Sequence, residues 1–137
     1  MDNNKTFEKN LVCEDFQNQV SQFLVRHKSI LDIISKMQEY NSRINRAVVK
    51  SVTNCGCITI DASKQDFSGE SYGDLPNKME NHVHGKLCPS CKEVIDSEIG
   101  NYLFYLASLC NTLDLDLVDI LAKEYDKNNT LGIYSLR

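Results

Sequence analysis

Two closely spaced cysteine pairs, Cys55-Gly56-Cys57 and Cys88-Pro89-Ser90-Cys91, bracket the part of this 137-residue chain that holds most of its turn residues. Residues 54–90 carry four of the six glycines and both prolines, whereas the chain on either side reads as helix. An irregular segment of that length inside a compact domain needs a local anchor or is disordered. Zinc takes about four soft or borderline ligands in a tetrahedron, commonly as two short pairs from separate segments. Each pair here turns on a Gly or a Pro, so all four sulfurs can face one ion. Closing residue 57 onto residue 88 then ties off the excursion at its base. Four protein ligands fill the tetrahedron and leave no position for the bound water of catalytic zinc, so the expected role of the metal is structural.

The same residues admit other chemistry. A Cys-Pro-Ser-Cys run at a helix start can be a redox dithiol, but such motifs ordinarily follow a strand in a βαβ unit, and none is legible here. His82 and His84 lie close enough in sequence to replace one thiolate, and iron–sulfur ligation by the same four cysteines stays open. Cys13 and Cys110 fall singly on apolar faces, where a thiol packs as a small hydrophobe. The opening "MDNNKTFEKN" has no charged-then-apolar leader pattern, and no apolar run reaches the ~20 residues of a membrane span. The expected setting is a reducing cytoplasm, where cysteines more often bind metal than form disulfides.

Outside the cysteine segment the apolar spacing is helical. Residues 1–12 are polar and read as a frayed tail. A first helix is expected from Asp15 to about His27, on Phe16, Val20, Phe23 and Leu24. A longer second helix over 29–53 starts at Ser29, an N-cap with Asp32 three places on, and carries Ile30, Ile33, Met37, Ile44 and Ala47 on its stripe. "CITIDA" has the makings of a brief strand, and 61–80 reads as a mobile loop. Ser90 with Glu93 predicts a capped third helix whose apolar face is Ile95, Ile99, Tyr102, Leu103, Leu106, Leu109 and Leu113. After the connector "NTLDL", Asp116 caps a fourth helix that buries Leu117, Ile120, Leu121 and Tyr125 and stops at "KNNTLG". The expected architecture is one all-α domain over 1–137, a four-helix bundle with a zinc-knuckle loop at 54–90 between helices two and three. Net charge is −4, but it is +2 through Lys50 and −6 beyond, which excludes a protein-wide basic groove for duplex nucleic acid.

The run "DSEIGNYLFYLASLCNTLDLDLVDILAKEYDKN" resembles the third and fourth helices of the MazG-like all-α nucleoside triphosphate pyrophosphohydrolases. Glu98, Ile99, Gly100, Leu103, Leu106, Leu113, Asp116 and Leu117 stand where that family's pattern expects them, over about 35 residues. The first acidic place holds Ser97, with Asp96 one residue earlier. The resemblance implies a magnesium site built from an ExxE pair on the second helix and an ExxD pair on the third, and assembly as a homodimer or tetramer. Magnesium wants hard, charged oxygen ligands. The third-helix pair here reads Glu98-Ile99-Gly100-Asn101, and "YNSRINRAVVKSVTNC" on the second helix has no acidic residue. Glu98 and Asn101 are thus the remnant of that site, with three of its four carboxylates gone.

Arg43, Arg46 and Lys50 occupy the second-helix stretch instead, at i, i+3 and i+7 on one face. They read as a solvated stripe, as partners of the acidic third helix, or as a seat for a nucleotide phosphate. The function expected is that of a zinc-stapled, MazG-like helical protein without pyrophosphohydrolase activity, acting through oligomerisation or partner binding. One alternative is an active magnesium-dependent pyrophosphohydrolase using Glu98, Asp96 and Glu93 or Glu39 in an altered site. Another is a zinc- or thiol-sensing regulator with the cysteine quartet as sensor.

Overall fold

The computed structural model describes residues 2–69 and 71–135, with side chains described from residue 12 onward. The described residues form five helices, α1 (Asp2–Phe23), α2 (Ile30–Lys50), α3 (Leu75–Lys78), α4 (Pro89–Thr112) and α5 (Leu117–Leu131), and a short, largely exposed ribbon of β1 (Ile58–Ile60) and β2 (Val83–Gly85). The protein is mostly helical, as its apolar spacing implies. The fourth expected helix is α5 and the third is α4, because a single turn of helix, α3, lies inside the excursion.

α2 begins where Ser29 adopts an extended backbone and its Oγ accepts from the Leu31 N–H at 3.3 Å. Asp32 does not complete the reciprocal cap; its carboxylate stands 3.7 Å from His27 Nδ1. α2 and α4 form the main packed pair and run antiparallel. Tyr40 stacks on Tyr105 at 5.6 Å toward one end, and the Ser51 hydroxyl meets Cys91 at the other. Ile33, Ile95, Ala107 and Cys110 are buried among these helices, and Val20 joins them from α1. Gln17 fastens α1 to the α4–α5 corner. Its side chain donates to Asn111 Oδ1 at 3.0 Å and to the Leu115 carbonyl at 2.7 Å, and it accepts from the Leu117 N–H at 2.9 Å. Asp116 caps α5 as its type predicts, accepting from the N–H groups of Val118 and Asp119.

Several expectations are corrected. The first helix runs Asp2–Phe23, not from Asp15 to His27, because no Gly or Pro breaks residues 2–14 and propagation adds one bond per residue. Of the expected tail at 1–12, residues 2–12 lie on a helical path, while residue 1 and the side chains up to residue 11 fall outside the described ones. Segment 61–80 is not featureless. Gln65 and Glu80 exchange two hydrogen bonds across its base, and Tyr72–Lys78 forms consecutive helical turns. α4 starts at Pro89 with Cys88 as its cap, so Ser90 sits inside the first turn. α5 does end within "KNNTLG" as expected, at Leu131, with Gly132 as its C-cap at a φ of 53° that suits glycine. The apolar faces are less covered than periodicity implies: Ile99, Leu103 and Leu113 on α4 side and Leu121 and Tyr125 on α5 are exposed. No helix is long and apolar enough to cross a membrane among the described residues.

Candidate metal centre

The end of α2 delivers the first cysteine pair. After Lys50 the helix widens into a single π turn, Ser51–Cys55, closed by the Gly56 N–H donating to the Ser51 carbonyl at 2.9 Å. Such widened turns recur at functional sites because they re-aim a side chain without ending the helix. Gly56 then takes φ 78°, a left-handed conformation that costs glycine nothing, and reverses the chain so that Cys57 faces back. Cys57 Sγ lies 3.8 Å from the Ser51 carbonyl.

The β1–β2 ribbon delivers the second pair. Ile58 opposes Gly85, Thr59 opposes His84 and Ile60 opposes Val83, with Asp61 N–H donating to the His82 carbonyl at 3.0 Å. "CITIDA" thus supplies a strand, and its partner is "VHG". At Gly85, φ is 87° and an added Cβ would stand 2.6 Å from the Cys57 carbonyl oxygen. Only glycine lets the two strands approach there. Three residues later Cys88 caps α4. Its Sγ accepts from the Cys91 N–H at 3.4 Å, where Pro89 at the first helical position has no N–H to satisfy.

The four sulfurs converge. Cys55, Cys57, Cys88 and Cys91 offer ligand atoms all within 4.8 Å of one another, and Cys55 Sγ is 3.8 Å from Cys88 Sγ. A tetrahedron with metal–sulfur bonds of about 2.3 Å has sulfur–sulfur edges of about 3.8 Å. The donor set therefore fits a single tetrahedral ion, and all four cysteines are free thiols. His82 and His84 do not enter this cluster. Cys110 is buried in the bundle and Cys13 is half-buried in α1.

Electrostatics of the quartet follow from crowding. The Cys91 N–H, then the Cys91 thiol, lowers the Cys88 thiol to about 7. Ser51 draws Cys91 down, but its donation to Cys88 and the nearness of Cys55 and Cys57 outweigh that and push it up to about 12. Cys55 is helped by Cys57 N–H and by Cys91, yet the neighbouring Cys88 and Cys57 thiols leave it raised. One thiolate forms readily and its neighbours resist joining it. A bound cation removes that resistance, because it offsets the mutual repulsion of the sulfurs.

A cavity of about 320 Å³ opens beside the quartet, between α2 and α4. Arg43, Arg46 and Lys50 line it from α2, Cys55, Cys91 and Glu98 from the other walls. Glu98 Oε2 is buried and has no hydrogen-bond partner. Asn101, three residues from Glu98 on α4, is exposed and does not line this space. Glu39 is held by Lys36 at 2.9 Å and Arg43 at 3.1 Å, and Asp96 pairs with Lys92. Among the described residues the cysteine quartet is the one cluster of three or more metal-ligating side chains.

Sequence reasoning found the four cysteines but missed Gly85, Ser51 and the capping role of Cys88. Gly85 stood in a dipeptide-rich loop with no local mark of its contact. Comparison with protein-family models, with curated proteins and with solved structures found no match.

Proposed function

We propose that this is a MazG-like helical protein stapled by one structural zinc ion, which acts through self-assembly or partner binding and not through pyrophosphate chemistry. The observation that carries the metal reading is the convergence of four sulfurs to within 4.8 Å. Tetrahedral S4 sets select zinc or iron among the common metals. Irons bridged by sulfide spread their cysteines farther apart than one ion does, which favours a mononuclear centre. Zinc accounts for a closed site that ties α2 to α4 without redox chemistry. The antiparallel α2–α4 pair and the Asp116-capped α5 support the MazG-like reading.

Exposed apolar side chains support assembly. Leu103, Leu113, Leu121 and Tyr125 are all exposed. Covering such a face in a symmetric homodimer or tetramer is the common solution.

Elemental analysis of the purified chain tests the metal, and light scattering tests the assembly. The expected results are one zinc per chain and a dimer or tetramer. Iron in place of zinc, or thiols titrating freely in the native protein, would overturn the metal reading. Magnesium-dependent release of pyrophosphate from any common or damaged nucleoside triphosphate would overturn the non-catalytic one.

A further inference from the structure

The cavity between α2 and α4 carries more positive charge than its neighbours neutralise. Arg46 and Lys50 have no ion-pair partner among the described residues, and both are exposed. Arg43 holds Glu39 at 3.1 Å and lies 5.5 Å from the Tyr40 ring centre, an arrangement that fixes its guanidinium at the rim. That pair is exposed, so an incoming anion competes with it at little cost. Arg43 and Arg46 are one helical turn apart, and Lys50 stands roughly 6 Å beyond Arg46 along α2 at 1.5 Å per residue, at the cysteine end. Lys50 thus lies at the cysteine end of the cavity, and the two arginines lie toward its other end. On the opposite wall Glu98 presents a buried oxygen with nothing to accept from. A buried carboxylate oxygen without a donor is costly, and a ligand hydroxyl would supply the donor. Ala47 and Val94 make the floor between them apolar.

We propose that this cavity binds a small hydroxylated phosphomonoester, with Arg43 and Arg46 holding the phosphate oxygens and Glu98 Oε2 accepting from a ligand hydroxyl. Arginine forks match phosphate oxygens bidentately, so the site needs no divalent ion to recruit the anion. The space is at the small end of ligand cavities and suits a compact ester. The assignment goes beyond the metal reading, because it depends on the α2 and α4 side chains and not on which ion the sulfurs hold.

Titration calorimetry on the zinc-loaded chain in magnesium-free buffer tests it with three probes: inorganic phosphate, glycerol 3-phosphate and adenosine monophosphate. Both esters should outbind inorganic phosphate, since only they bring a hydroxyl to Glu98. The tighter of the two esters identifies the source as a small polyol phosphate or a nucleotide. The double variant Arg43→Ala/Arg46→Ala should weaken ester binding at least about tenfold, the equivalent of one charge-assisted hydrogen bond, with zinc content unchanged. Glu98→Ala should keep phosphate binding and abolish the preference for the esters. Inorganic phosphate binding as tightly as the esters, no binding by any probe, or affinities that ignore the arginine variant would each overturn the assignment. Loss of zinc from the double variant would overturn it as well, since the cations would then serve the thiolates alone.

Discussion

Replacing Gly85 by alanine probes the step that brings the cysteine pairs together. The backbone there sits at φ 87°, and an added Cβ would stand 2.6 Å from the Cys57 carbonyl oxygen, a backbone atom that cannot swing aside. Positive φ costs a non-glycine residue about 1–2 kcal/mol. The clash adds to this, and relieving it means separating Ile58 from Gly85 in the ribbon. Taking the whole penalty as about 3 kcal/mol, the strain of a residue held in a sparsely populated conformation, the open ribbon becomes the resting state without metal. Binding must then re-form it, so zinc affinity should fall about a hundredfold, at 1.4 kcal/mol per factor of ten.

Competition against a chromophoric chelator measures that affinity directly. Gly56→Ala is the matched comparison, since Gly56 also has positive φ but an added Cβ meets nothing within 4 Å. It should lose only about tenfold, the part that comes from φ alone. If Gly85→Ala holds zinc as tightly as the parent, the ribbon does not set the sulfur geometry and the reasoning fails.

Gln17→Ala should lower stability by about 1–2 kcal/mol, because it leaves the Leu117 N–H and Asn111 Oδ1 without their side-chain partner, and thermal melting should show a drop of a few degrees. Gly100→Ala, at an unobstructed position inside α4, should raise stability by about 0.5–1 kcal/mol in the same assay. Metal binding should weaken as pH falls, because protons compete for the sulfurs. Cys55 and Cys91 have raised thiols and are protonated near neutral pH, so calorimetry in buffers of different ionisation enthalpy should show at least two protons released per ion at pH about 7. Cys88, lowered to about 7, is a thiolate above that pH and takes up a proton as pH falls through it, so the apparent affinity should fall more steeply below about 7 than above it.

What the sequence made legible was local. Metal-ligand spacing is a property of short runs, so Cys55, Cys57, Cys88 and Cys91 were visible without any knowledge of the ribbon. The Asp116 cap was visible for the same reason, since a side chain bonding an N–H two residues on needs no tertiary context. Gly85 was not, because its need for glycine arises from Cys57, nearly thirty residues earlier. The Cys88 cap was hidden behind Ser90, since a sulfur acts as a cap acceptor only when its charge is drawn out at the helix end. Periodicity placed Leu103, Leu121 and Tyr125 on apolar helix faces expected to be covered, but coverage depends on tertiary packing, and all three are exposed. The start of α1 was misread because polar residues with no breaker are nearly neutral in helix propensity.

The metal reading also accounts for how so thin a core holds together. The larger aliphatic side chains buried among the described residues are Val20, Ile33, Ile58 and Ile95. Each contributes about 1.5–3 kcal/mol, whereas a structural zinc site supplies an apparent 10–16 kcal/mol in small metal-folded domains, roughly. Two of those four side chains, Ile58 and Ile95, follow a cysteine pair by a few residues and reach the interior on the elements the sulfurs position. The ion and the core are therefore not independent supports. Releasing the sulfurs would loosen β1 and the start of α4, the elements that carry Ile58 and Ile95. Helix α2 also carries Arg43 and Arg46 opposite Glu98 on α4, so a metal staple between the two helices would help set the cavity's spacing even though none of those three side chains belongs to the cysteine cluster.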